Sequence, residues 1–315
     1  MYPRKPPRLI FPEEFYDETW EREEPPCIIR FAHQRIKIAL QSARIPWKIP
    51  VSYDPNCGLP CNLRTKSRYR GVNTLLLCDT FRTKNFRSKW WGTKDDWHSV
   101  GCCVNDDQEP IVIAMCHDDV GSQFAPALVY NAAQVEGAEY FRASLDKLDA
   151  LVVNDEADFG SIGRLLEYHA PDIRFDVGDE NQSPDFNGYV PPDPWLDHPN
   201  HTSGDYILMQ SEQYFHSRAD HYSILLHEIM HWAEVRTGWI DRMPAREFVA
   251  EAGMCILGLE LGVPHTFCEF NHRKWLPYWT ILCHEDEKFF FSMMAQVDRA
   301  CDFLLAPLGI GDTDA

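Results

Sequence analysis

The five residues His227-Glu228-Ile229-Met230-His231 constrain this chain more than any other stretch. Two histidines four positions apart on an α-helix lie one turn apart on one face, so both imidazoles can bind one Zn²⁺. Glu228, beside the first histidine, is placed to act as general base on water at that metal. The pattern therefore demands a helix buried enough to exclude bulk water. Leu225, Leu226, Ile229, Met230, Trp232 and Ala233 supply the apolar surround, Ser217 with Asp220 a capping-box-like start, and Gly238 a stop.

A third protein ligand has to come from elsewhere. The longer HExxHxxGxxH pattern is absent, because position 234 is Glu and position 237 is Thr. Arg246-Glu247-Phe248-Val249-Ala250-Glu251 offers two carboxylates on one face of a following helix, and the sixteen residues from His231 to Glu247 suffice to turn and return. Glu247 is expected to complete a His₂Glu set, with Glu251 one turn later orienting a ligand histidine. Glu251 as the ligand in place of Glu247 is the alternative.

Charge is distributed unevenly. The net charge is −18, yet residues 28–100 hold 14 Lys/Arg against 4 Asp, while residues 101–315 carry −25. The basic segment is interleaved with Trp47, Tyr53, Tyr69, Phe81, Phe86, Trp90, Trp91 and Trp97. Cations that track phosphates beside aromatic faces that stack on bases suit single-stranded nucleic acid, so an acidic protein can still bind it locally. The bland reading, aromatics in the core and cations in water, fits the composition as well.

Residues 27–44 have apolar spacing for an amphipathic helix with a cationic outer face. A Pro-rich loop and turn-prone residues follow to about Gly71. Thr93 and Asp96 could cap a short helix, and 110–116 and 127–130 read as short buried strands. Helices are expected at about 156–169, 217–236, 244–261, 270–284 and 286–305, a strand at 205–209, and a long Asp/Asn/Pro/Gly-rich loop over 178–204. The whole reads as α+β: a small mixed α/β domain over 27–145, a mainly helical domain over 146–315, and a charged extension over 1–26. Eleven cysteines, an odd number in a long chain whose first residues contain no apolar signal-like run, are expected to be reduced thiols in a cytoplasm. No apolar run is long enough to cross a membrane.

Several phrases together resemble the ArdC-type antirestriction proteins, which pair a single-stranded-DNA-binding domain with a zincin-like metallopeptidase domain. They are Ile45-Pro46-Trp47-Lys48, Leu59-Pro60-Cys61-Asn62, Tyr69 to Asn73, Trp91-Gly92-Thr93, Val129 to Gly137, the HExxH run with Trp232, and Arg246 to Glu251. The resemblance implies single-stranded DNA as partner of the first domain, with Trp47 and Tyr69 stacking and Lys48, Arg68, Arg70 and Asn73 along the strand. It implies a zinc metallopeptidase-like fold for the second domain, though no known substrate; a protein or peptide is the candidate, and antirestriction or protection of incoming DNA is the expected role. Arg246 stands where that family usually has Glu, and an acidic stretch, Val104 to Glu109, replaces its glycine- and lysine-rich loop. Two other functions stay open: a DNA-binding protein whose zinc site is structural or vestigial, and an acidic DNA mimic.

Overall fold

Residues Ile28–Gln41 form helix α1, whose buried Ile28, Phe31, Ala32, Ile36 and Leu40 recur at helical spacing. The computed structural model describes residues 27–42, 44–49, 54–116, 124–143, 159–176, 187–192, 204–263 and 268–310. The charged extension, the stretch between the two expected domains and most of the expected 178–204 loop lie outside those residues. The cationic outer face of α1 meets the other end of the chain: Arg30 pairs with Glu287 at 3.3 Å, and Lys37 Nζ lies 3.3 Å from His284 Nδ1.

A four-stranded sheet follows, in the order β1 (Cys61–Asn62), β2 (Trp90–Gly92), β5 (Phe124–Asn131), β4 (Ile111–Cys116). β1 and β2 run parallel, and the other pairs are antiparallel. Helix α2 (Val72–Thr83) packs with α1 against β4. Helix α3 (Lys94–Ser99) starts at the expected capping box: Thr93 Oγ1 accepts from Asp96 N at 3.1 Å, and Thr93 N donates to Asp96 Oδ2 at 2.9 Å. Beside it lies an antiparallel pair, β3 (Cys103–Val104) with β6 (Val135–Glu136). Helix α2 carries no amphipathic signal because Val72 and the run Thr74 to Phe81 are all buried.

The second half opens with α4 (Gly160–His169) and a sheet ordered β7 (Ile173–Asp176), β9 (Tyr206–Gln210), β8 (Gly188–Val190). Strand β8 falls inside the stretch expected to be a loop. It pairs antiparallel with β9, with Tyr189 opposite Ile207, a tertiary pairing that overrides its turn-rich flanks. Helices α5 (Arg218–Arg236), α6 (Met243–Leu261), α7 (Cys268–Glu285) and α8 (Phe289–Leu305) then complete the α+β architecture.

The main core does not stop at the boundary between the halves. One cluster of buried residues joins Ile28, Phe31, Trp47 and Leu75 to Leu226, Phe248, Trp279 and Phe290. Polar ties reinforce it. Gly71, in a left-handed conformation (φ +60°) closed to most side chains, directs its N–H to Asp298 Oδ2 of α8 at 2.6 Å. That places a carboxylate at the positive N-terminus of α2.

Candidate metal centre

Helix α5 begins where Ser217 Oγ accepts a hydrogen bond from Asp220 N at 3.1 Å, and Gly238 (φ +76°) follows its end. Residues 237–242 reverse the chain into α6, which has Pro244 in its first turn and a left-handed Gly262 after its last. Gly253 of α6 makes room for the Met230 side chain of α5, which a Cβ there would meet head-on. This contact brings the ligand-bearing faces together.

His227, His231 and Glu247 each offer a ligand atom, and these atoms all lie within 4.8 Å of one another. Glu247 Oε2 is 3.6 Å from His227 Nε2, and Glu247 Oε1 is 3.6 Å from His231 Nε2. A tetrahedral divalent ion with bonds of about 2.0–2.1 Å sets its ligand atoms roughly 3.3 Å apart, and the two Glu247–imidazole spacings come near that value. The three side chains are 5–8% exposed. Both imidazoles turn Nε2 inward because Nδ1 faces a carboxylate. His227 Nδ1 lies 3.2 Å from Glu251 Oε1, and His231 Nδ1 lies 3.2 Å from Glu234 Oε2. The His231–Glu234 contact is a hydrogen bond of the kind that fixes a ligand ring and raises its basicity, while Glu251 stands at ion-pair distance from His227.

Burial alone would lower the pKa of both histidines, but the carboxylates outweigh it. Glu251 and Glu228 raise His227, and hydrogen bonds to Glu234 and Glu247 raise His231 to about 10. Burial pushes the Glu247 carboxyl upward, yet the two imidazoles hold it below its ordinary value. The imidazoles and the Glu247 carboxylate thus favour one another's charged forms.

Sequence reasoning did not assign Glu234 a role. It noted the residue only as a break in the longer motif, although three positions after His231 is one turn along the same face. Arg246 Nε donates to Glu234 Oε2 at 2.9 Å, so the buried carboxylate is itself paired. Strand β8 was also missed as part of the site: Tyr189 N donates to Glu228 Oε2 at 2.7 Å. Tyr189 Oη donates to Asp205 Oδ2 at 2.9 Å, and Arg236 binds both Asp205 oxygens, at 2.6 and 2.9 Å. The Arg236 guanidinium in turn lies 3.5 Å over the Trp232 ring. This chain of contacts fixes the sheet edge beside the base.

The expected nucleic-acid residues occupy different places. Trp47 is fully buried and packs edge-on against Phe248 at 5.0 Å, His272 at 5.7 Å and Trp279 at 5.8 Å, leaving no face for a base. Arg68 is buried beside Asp302 (3.3 Å) and Asp298 (3.6 Å), and Arg70 also pairs with Asp302. The half-buried Tyr69 accepts from Asn62 Nδ2 at 3.1 Å. Asn73 braces strand β4 through Ala114 O (2.7 Å) and Ala114 N (2.8 Å). Lys48 is half-buried. The structure does not gather these six on one open surface.

Residues 30–137 match the family pattern described as the N-terminal domain of anti-restriction factor ArdC, and residues 200–296 match a zincin-like metallopeptidase. No curated protein matches the sequence. Among solved structures, the fold is similar to the antirestriction ArdC protein of plasmid R388. The metal-free form gives a TM-score of 0.64 at 22% identity, covering 90% of this chain and 98% of that one. The Mn(II)-bound form gives 0.65 at 22% identity, covering 89% and 97%. Among the described residues no helix is long and apolar enough to cross a membrane.

Proposed function

We infer that this chain, which has the two domains and the fold of ArdC-type antirestriction proteins, is a zinc-dependent peptidase-like protein that binds single-stranded DNA and shields incoming DNA from restriction. The observation that carries the hydrolytic half is the convergence of both His Nε2 atoms on Glu247, with each Nδ1 turned to its own carboxylate. His227, His231 and Glu247 would hold the metal, with Glu251 and Glu234 behind them. The R388 protein's Mn(II)-bound form supports a divalent ion in this fold. Zinc bound there supplies Lewis acidity toward a carbonyl oxygen.

This chain's own groups do the rest. Glu228 takes a proton from the attacking water and passes it to the leaving amine. Tyr189 N holds one Glu228 oxygen, which fixes the carboxylate plane and leaves the other oxygen for the proton.

The test compares the zinc-loaded protein with Glu228→Gln on a mixed peptide library, read by mass spectrometry. Gln keeps the ligands and removes the base, so zinc content should stay and cleavage disappear. Cleavage by both proteins alike would reject the assignment of Glu228. One observation favours a second reading, a metal held without turnover: Glu228 is 7% exposed and already hydrogen-bonded. No cleavage by the wild type, with zinc retained and stability lost on chelation, would select it.

A further inference from the structure

The basic segment holds one place where cations and rings meet at the surface. Lys66 Nζ lies 4.9 Å from the centroid of the half-buried Trp90 ring and 5.8 Å from that of Phe141. Lys89 Nζ lies 5.0 Å over the same Trp90 ring. Beside them Tyr140 is 85% exposed, and its ring rests edge-on against Phe141 at 5.5 Å. Neither ammonium has an ion-pair partner among the described residues. Glu139, on the same short turn as Tyr140, lies 4.0 Å from Arg142.

The framework beneath is rigid. The Asn56 side chain accepts from Trp90 Nε1 at 2.8 Å and donates to Tyr140 O at 2.8 Å and Arg142 O at 3.2 Å. Ser88 Oγ donates to Phe141 O at 2.6 Å. The polar edge of the indole is thereby turned inward. Arg142 braces the same turn on Val135 O at 2.7 Å. On the other side, Asn62 Oδ1 accepts from Arg64 N and Thr65 N at 2.9 and 3.0 Å, closing a turn that holds Lys66 at φ +65°. A side-chain-bearing residue seldom takes that conformation, and here it carries the lysine over the ring.

We propose that Trp90 and Tyr140, flanked by Lys66 and Lys89, form a stacking platform for single-stranded DNA. The proposal rests on the nucleic-acid half of the function above and assigns it a surface. An ammonium over a half-exposed ring is weakly held, whereas a base covers more of the open ring face. On binding, the base takes the ring and the displaced lysine turns to the adjoining phosphate. Both contacts are available on an unpaired strand, while a duplex keeps its base faces stacked.

The test uses the full chain and a labelled oligothymidine strand, read by fluorescence anisotropy, with circular dichroism to verify folding. Tyr140→Ala, at a side chain that is mostly in water, should weaken binding roughly five- to 150-fold, the usual worth of one stacked base. Lys66→Ala should lower the log–log salt slope by roughly 0.7, the share of one phosphate on a single strand. Lys274→Ala, which removes a lysine 4.9 Å over the Trp275 ring of α7, should leave both unchanged. Tight binding unaffected by Tyr140→Ala and Lys66→Ala would overturn the platform and leave the DNA reading standing. A wild type that does not bind the strand overturns both. Tighter binding of the same sequence as RNA would overturn the assignment to DNA.

Discussion

Arg246 donates through Nε to Glu234 at 2.9 Å, to the same oxygen that faces His231 Nδ1 at 3.2 Å. The arginine thus reaches the metal centre through two intermediates. Glu234 is 1% exposed, and a carboxylate there without a counter-charge is costly. Glu234→Gln should keep the shape and weaken zinc binding about 10- to 100-fold, the usual effect of losing a group that orients a ligand. Arg246→Ala should do the same and also lower the unfolding midpoint. Competition with a metal-indicating chelator measures the first effect and thermal unfolding the second. Zinc affinity unchanged in both variants would remove Glu234 from the site.

Acidity should act oppositely on the metal-free and the metal-loaded protein. His231 is raised from its ordinary 6.5 to about 10 in the fold. A raised pKa contributes stability that is fully present below pH 6.5 and is lost as pH climbs through about 10. The metal-free protein should therefore become less stable across that window in urea titrations. Zinc displaces the protons, so its affinity should rise with pH, by about tenfold per pH unit for each proton released. A metal-free stability that climbs from pH 7 to 9 would contradict the protonated pairing.

The Met230 side chain of α5 lies directly over Gly253 of α6. In Gly253→Ala the new methyl group meets Met230 Cε, so the methionine must move or the helices must part. Overpacking of this kind costs about 1–3 kcal/mol. We expect the larger value if the helices part, together with weaker zinc binding, and the smaller value with zinc binding intact if Met230 swings aside. Chemical denaturation and zinc titration of the one variant separate the two outcomes.

Trp47→Ala empties a site lined by Phe248, His272 and Trp279. Truncations of buried tryptophan cost about 3–5 kcal/mol. The loss should appear as one shifted transition in urea, because both halves share the core. A fragment ending near residue 145 exposes Trp47 and leaves Arg68 without Asp298 and Asp302, so it should not fold alone. A well-folded fragment with a sharp melting transition would contradict this.

The grouping of His227, His231 and Glu247 was legible in the sequence wherever its logic is local. Four positions separate His227 from His231 and four separate Glu247 from Glu251, so helical geometry alone aligns each pair. The capping box at Thr93 is equally local. What stayed hidden depends on partners distant in sequence. Arg68 and Arg70 look like phosphate contacts until Asp298 and Asp302 are brought beside them by the packing of α8. Trp47 sits in a Pro-flanked stretch that reads as loop, and helices more than 200 residues later bury it. Glu234 was visible, but its partner Arg246 faces it only after the chain reverses.

The insertion of Trp47 between α6 and α7 also bears on how the chain emerges from the ribosome. Synthesis delivers the tryptophan long before the helices that enclose it. Through the making of some 200 further residues the nascent first half keeps an open apolar seam, the kind of surface that invites aggregation. The seam closes only when α6 and α7 have left the exit tunnel, so chaperone occupancy should persist until those helices have been made.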